Sequence, residues 1–256
     1  MEIKKFECNR DRFTIRGTLY RPERDNLPIA IVSHAFLCDQ RSTRHYARAL
    51  AEMGYAAFCF DFVGGSARSR SSGRLRDMTI FTEIEDLKTV IRFAQTQSCT
   101  DESRVTLMGC SQGAFVSALT AVEMQETVEN LILFYPALCI PEDARKGQML
   151  FFSFDPKNIP PLIKAKGKLL RLGRDYAASV MDMDAYAAIR NYKGSVFLVF
   201  GSEDEVVPAE CFAEAEKVYR ESGADIDSRC IYGAKHGFTP EEDVTALDAV
   251  TRFLAE

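Results

Sequence analysis

Histidine is nearly absent from this chain. Its 256 residues include three, His34, His45 and His236, so any mechanism that needs an imidazole must draw on one of them. Also lacking is any run of about 18 apolar residues, and the N-terminal MEIKKFECNRDRF carries no apolar stretch of signal-peptide length. These absences predict a cytoplasmic protein with no membrane partner. There is no excess of basic residues either. The net charge is −5 and the pI near 5.4, which argues against nucleic acid as a partner because phosphate binding needs a basic surface. The eight cysteines form no C-x-x-C pair and no cysteine-histidine cluster of zinc spacing, so a reducing compartment is expected and a metal is not.

What is present is ordinary globular composition, 46% hydrophobic and 27% charged, which excludes disordered and fibrous classes. The basic run Arg68, Arg70, Arg74 and Arg76 is interspersed with serines and followed by Asp77, and reads as a solvated loop. Periodicity then gives a regular alternation. KKFECN and RFTIRGTLYRP read as an antiparallel hairpin turning around Asn9 to Asp11. PIAIVSHAF, AAFCFDF, RVTLMGC, NLILFYP, SVFLVFG and SRCIYG read as strands. Helices fall between them at TRHYARALAEMG, TIFTEIEDLKTVIRFAQ, QGAFVSALTAVEMQ and AECFAEAEKVYRESG, with a last one at EEDVTALDAVTRFLAE, to Glu256. Such alternation specifies an α/β class with a mostly parallel sheet and helices on both faces. The alternation lapses between Tyr135 and Gly194. A structureless loop of that length is improbable in a compact domain, so a small cap of short helices is expected at about 137–192, within a single domain spanning 1–256.

The strongest chemical signal is Gly109-Cys110-Ser111-Gln112-Gly113, placed between a strand and a helix. A nucleophile on so sharp a turn needs small neighbours, because strand and helix backbones pass close together. A serine hydroxyl also needs a base. His45 lies inside a predicted helix among arginines and reads as a surface residue, while His34 reads as an organiser of the loop after PIAIVS. His236, just beyond the last predicted strand, alone fits the order serine, acid, histidine. The acid is sought in GSEDEVVP after SVFLVF. Asp204 is the choice, since Glu203 and Glu205 should project to the other side of a tight turn into solvent. Oxyanion donors would be the backbone N–H of Gln112 and, from the His34-Ala35-Phe36 loop, that of Phe36.

SHAF, DFVGGS, GCSQG, GSEDEVVP and GAKHGF occur in the order seen in α/β-hydrolases, and the chain most resembles the small bacterial cinnamoyl and feruloyl esterases. That resemblance implies an α/β-hydrolase fold with an N-terminal hairpin and an inserted cap, and a triad of Ser111, Asp204 and His236. It implies Phe36 and Gln112 as oxyanion donors and no cofactor. Asp143 and Tyr176 fall where such esterases place polar groups facing a phenolic hydroxyl. Three positions depart from the family pattern. Ala35 stands where glycine is more usual and would be strained at positive φ; Cys110 stands where histidine is common, and reads as packing; VGGSARSRSSG replaces the usual G-x-G-x-S. Phe151, Phe152 and Phe154 could line an aromatic acyl pocket or form the core of the cap.

The expected function is hydrolysis of small carboxylic esters, hydroxycinnamates among them, through an acyl-enzyme, with a small-molecule ester as partner and a homodimer left open. An acylaminoacyl or prolyl-type peptidase is the alternative within enzymes. A hydrolase-like protein that binds a ligand without turnover is the alternative outside them.

Overall fold

Strand β1 (Glu2–Arg10) and strand β2 (Phe13–Arg21) pair in antiparallel register with Arg10 opposite Phe13, so the turn is the two residues Asp11 and Arg12. It lies slightly later than the sequence suggests, at Asp11, which takes φ 52. A short polar side chain tolerates that left-handed conformation better than most. The structure, a computed structural model, describes residues 1–255.

The chain then continues as β3 (Leu27–Ser33), α1 (Arg44–Glu52), β4 (Ala56–Asp61), α2 (Ile80–Gln95), β5 (Thr100–Cys110), α3 (Gln112–Glu123) and β6 (Val128–Phe134). Every residue of β4 is buried, as is expected of a strand covered on both faces. Helix α2 starts at a reciprocal cap in which Thr79 and Thr82 exchange side-chain and backbone hydrogen bonds. Strand β5 begins earlier than its apolar run. Its first residues are polar and exposed or half-buried, and the register against β3 shifts where the buried part begins.

Between β6 and the next strand of the main sheet lie α4 (Ile140–Lys146), two ribbons made of β7 (Gln148–Met149) with β8 (Phe152–Ser153) and β9 (Leu162–Lys164) with β10 (Arg171–Gly173), then α5 (Arg174–Ala178) and α6 (Ala185–Ile189). The sequence predicts short helices here, and the structure has three of them together with the two ribbons. Strands of two or three residues carry too little alternation to register as strands in a sequence. The chain closes with β11 (Ser195–Gly201), α7 (Ala209–Ser222), β12 (Asp225–Ile231) and α8 (Pro240–Phe253). The last helix was expected to run to Glu256, which lies outside the described residues.

The main sheet has the order β1-β2-β4-β3-β5-β6-β11-β12. From β4 to β12 all neighbours are parallel, and β2 joins β4 antiparallel. The carboxyl ends of the parallel strands therefore share one edge, where ligands bind in open α/β sheets. The inserted segment packs over that edge: Phe152 meets Phe36 with ring centroids 6.0 Å apart, and Gly173 lies so close to Arg76 O that no Cβ fits there. Among the described residues no helix is long and apolar enough to cross a membrane.

Candidate active site

Ser111 is the single residue between β5 and α3, with φ 53 and ψ −117. A non-glycine residue in this region is strained, and such strain is held only where the surroundings over-determine it. Here the Ser111 N–H donates to Phe134 O at 2.9 Å, while its carbonyl accepts from Ala114, Phe115 and Ala137. The flanking glycines are needed for contact rather than freedom. A Cβ on Gly109 would lie 2.5 Å from Ala114 N, and one on Gly113 would lie 2.7 Å from Ser33 O and closer still to His34 O. We expect Gly113→Ala to destabilise the protein by about 3 kcal/mol, because backbone atoms cannot give way as a flexible side chain can. A urea midpoint within error of wild type would show that the turn has slack.

The structure brings Ser111, His236 and Asp204 into one hydrogen-bonded chain. Ser111 Oγ lies 2.9 Å from His236 Nε2, and His236 Nδ1 lies 2.8 Å from Asp204 Oδ2. The other carboxylate oxygen of Asp204 accepts from the N–H groups of Val206 and Val207 at 2.8 and 2.9 Å. Burial raises the pKa of Asp204, but the bonds from His236 and the two valine N–H groups outweigh it and hold the carboxyl below its ordinary value. An ionised Asp204 places the proton of His236 on Nδ1, leaving Nε2 free to accept from the serine hydroxyl. Glu203 and Glu205 are exposed on the same loop.

Phe36 and Gln112 also border Ser111, and among the described residues their N–H groups find no acceptor. The Phe36 loop is closed by Cys38 N–H donating to Ala35 O at 3.0 Å. The strain anticipated at Ala35 falls instead on Leu37, which takes φ 59, so alanine at 35 meets no left-handed requirement. His34 is buried, its Nδ1 is 2.8 Å from Ala35 O, and its Nε2 accepts from Phe62 N–H at 3.1 Å. Burial lowers its pKa, and a neutral ring protonated on Nδ1 satisfies both bonds. His45 is exposed, as a surface residue, with Nε2 3.0 Å from Asp243, and it reaches the rim of the cavity that holds Ser111 and His236 without bonding to either. Cys110 is buried and its thiol is pushed up to about 12 by that burial, which makes it inert packing.

Two cavities meet at Ser111. A tight one of about 40 Å³ is bounded by Phe36, Gln112, Asp143, Met149, Leu150 and Tyr176 among others. A wider one of about 350 Å³ holds His236, Tyr135, Cys38 and Ser42 in its wall. Asp143 reaches the tight cavity half-buried, and that burial raises its pKa. Tyr176 contributes a ring there, stacked on Phe36 at 5.3 Å, but its buried hydroxyl is already donated to Gln112 Oε1. The proton of Tyr176 is thus committed to Gln112, while its phenol oxygen keeps lone pairs that can accept. The three phenylalanines do not line either cavity. Phe152 is in the core, Phe154 packs against it, and Phe151 is exposed with Lys168 Nζ 3.4 Å above its ring. Met149 and Leu150 take the wall instead, and Leu150 is held at φ 52 on the turn of the β7–β8 ribbon. Turn residues of so short a ribbon give no sequence signal.

Glu83 is a residue that sequence reasoning passed over. It lies on α2, fully buried, and accepts from Gln112 Nε2 at 2.7 Å, so that Glu83, Gln112 and Tyr176 form a continuous chain beneath Ser111. Burial pushes its carboxyl well above the ordinary range. The native state therefore keeps a proton that the unfolded chain releases above about pH 4.3. That contribution is fully present below the unfolded value and is lost as pH rises toward the folded one, by up to about 1.4 kcal/mol per pH unit. We expect Glu83→Gln to remove this dependence, so that the variant gains on wild type as pH rises above about 4.3 in urea unfolding. Parallel curves would mean that Glu83 is ionised in the fold.

A serine on a strained strand-to-helix turn, a histidine and a carboxylate at neighbouring strand ends, and a mostly parallel sheet beneath them define an α/β-hydrolase. More particularly, the chain belongs to the serine aminopeptidase S33 family, whose profile matches residues 28–185. Among solved structures, Est1E from Butyrivibrio proteoclasticus with ferulic acid bound is similar over 98% of both chains, at 25% identity and a TM-score of 0.88. The esterase domain of a Rhodothermus marinus protein shares the fold at 19% identity and a TM-score of 0.72, over 99% of this chain and 98% of its own. An uncharacterized 31.7 kDa protein of Escherichia coli, from the traX–finO intergenic region, is 34% identical over 88 residues. That match spans 34% of this chain and 29% of the relative's own length.

Proposed function

We propose that the protein is a serine carboxylic-ester hydrolase acting on small esters through an acyl-enzyme. The observation that carries this reading is the hydrogen-bonded chain from Ser111 Oγ through His236 to Asp204. Ser111 Oγ attacks the ester carbonyl carbon while His236 Nε2 takes its proton, and Asp204 stabilises the imidazolium that results. The carbonyl oxygen becomes an oxyanion that accepts from the N–H groups of Phe36 and Gln112, each worth about 3 kcal/mol of barrier. Collapse breaks the bond to the alcohol oxygen, and His236 returns the proton to it. Water then enters with the same histidine as base and releases the acid.

His236 borders the wider cavity and not the tight one, so the leaving alcohol belongs in the wider cavity and the acyl group in the tight one. The stacked faces of Phe36 and Tyr176 and the carboxyl of Asp143 suit an aromatic acyl group with a phenolic hydroxyl, and Est1E is known with ferulic acid bound. At about 40 Å³ the tight cavity holds roughly three waters, so such a group enters only when the cavity widens.

A panel of methyl hydroxycinnamates and short aliphatic esters tests the reading. We expect kcat/KM to favour the hydroxycinnamates by about tenfold or more. A comparable preference for acetate or butyrate would overturn the aromatic acyl assignment and leave the esterase. Turnover of aminoacyl p-nitroanilides without turnover of esters would move the protein to the peptidases. Stabilisation by a hydroxycinnamate with neither an acyl burst nor labelling by a fluorophosphonate would make it a binding protein.

A further inference from the structure

The arginine-rich segment after β4 is not a loose loop. Arg70 N–H donates to Asp61 Oδ2 at 2.6 Å, Ser71 Oγ donates to Asp61 O, and Ser71 Oγ and Ser72 Oγ accept from the N–H groups of Arg16 and Thr14 on β2 at 2.9 and 2.8 Å. Its backbone is thereby fixed to the edge of the sheet while Arg68 and Arg70 remain exposed. They share the wall of a cleft of about 160 Å³ with Arg44 of α1 and with Arg41.

The charges in this cleft are unbalanced. Arg41 is matched by Asp39 through two bonds of 2.8 and 2.6 Å. Among the described residues no carboxylate pairs with the guanidinium of Arg44, Arg68 or Arg70. The remaining acid, Asp61, is buried, with its two oxygens taken by the backbone N–H groups of Gln40 and Arg70 at 2.8 and 2.6 Å. A concentration of unmatched guanidinium groups is unusual on a chain whose net charge is −5.

Its position relates it to Ser111. The cleft shares Asp39, Arg41 and Arg68 with an adjoining cavity of about 500 Å³, and that cavity shares Cys38 and Ser42 with the wider cavity of Ser111 and His236. The three lie side by side along the loops that follow β3 and β4. Since the alcohol half of an ester departs on the side of His236, the furrow leads from the leaving oxygen to the arginines.

We propose that this cleft binds an anionic group on the alcohol half of the substrate, a carboxylate or a phosphate, so that the preferred esters are those of hydroxy acids or phosphorylated alcohols. Guanidinium forks match both oxyanions, and the fixed loop spares part of the ordering that such contacts demand. The proposal rests on the esterase reading, and deepens it by naming the chemistry of the leaving group.

The test uses one acyl group carried on five alcohols: methanol, hexanol, 6-hydroxyhexanoate, 6-hydroxyhexyl phosphate and choline, the six-carbon chains being long enough to lead past the intervening cavity. At low salt we expect kcat/KM for an anionic ester to exceed that for the hexyl ester by about tenfold, with the choline ester the poorest. The ratio should fall toward one in about 0.5 M NaCl and in Arg68→Gln/Arg70→Gln, with Arg44→Gln as a second variant. The 6-hydroxyhexanoate and 6-hydroxyhexyl phosphate esters decide between carboxylate and phosphate. In parallel, the wild-type protein is titrated calorimetrically with glycolate and with 2-hydroxyethyl phosphate, using ethylene glycol as the control. Hydrolysis of the methyl ester with no anionic preference overturns the anion site and leaves the esterase standing. Anion binding lost in the arginine variants, on a protein that turns over none of the esters, supports the site and removes the esterase.

Discussion

Ser111→Ala is expected to lower kcat for ester hydrolysis by about 10⁶-fold and to abolish labelling by a fluorophosphonate. The size of the effect follows from the geometry. Ser111 Oγ is the atom 2.9 Å from His236 Nε2, and removing it leaves the histidine and carboxylate with no nucleophile to activate. Rate above the uncatalysed reaction should persist, because the N–H groups of Phe36 and Gln112, the proposed oxyanion donors, are left in place by the substitution. Stability should change little, since alanine keeps the Cβ and the backbone bonds that hold the strained turn are main-chain bonds. Activity within about tenfold of wild type in a properly folded variant would place the chemistry on another residue.

Asp204→Asn should cost about 10⁴-fold in kcat with the fold intact. An asparagine can keep its carbonyl oxygen on the N–H groups of Val206 and Val207, which turns its NH₂ toward His236 Nδ1. The histidine then carries its proton on Nε2 and can no longer take one from Ser111. The substitution also has a signature in acid. Because the Asp204 carboxyl sits below its ordinary value in the fold, it adds stability that is present above the unfolded value of about 3.9 and disappears as pH falls through the folded one. The variant should lack that part of the acid dependence. A loss of kcat below about tenfold would reduce Asp204 to a structural role in its loop.

The strands and helices of the main sheet were legible because each carries enough apolar residues to display a period. AAFCFD of β4 is buried throughout, and α2 repeats its apolar positions over four turns. Ser111, Asp204 and His236 could be singled out for a related reason: each follows a parallel strand, β5, β11 and β12, so topology alone sends all three to one edge. What could not be read depends on contacts between distant segments. The hydroxyl of Tyr176 finds Gln112 across 64 residues, and neither residue type announces that partner. Within the inserted segment, a two-residue strand decides that Phe152 turns into the core while Leu150 reaches the cavity, and no periodicity extends over so short a piece. The arginines of the segment after β4 are exposed, as their composition suggests, but the anchoring of that segment lies in backbone N–H groups and serine hydroxyls reaching β2, which composition does not reveal.

The chain of Glu83, Gln112 and Tyr176 restricts how this protein can change its substrates. Replacing the segment between β6 and β11 would be the natural way to exchange one specificity for another. Tyr176, however, lies in that segment, and its phenol completes the hydrogen bonding of an amide buried in the first turn of the nucleophile's own helix. A transplanted segment without a hydroxyl at that point would strand the amide oxygen of Gln112 away from water, at about 1–3 kcal/mol. The penalty would be felt beside the N–H proposed to hold the oxyanion. The segment and the turn at Ser111 are therefore coupled physically, and an exchange of the segment that keeps full stability must also keep a donor for the Gln112 amide oxygen.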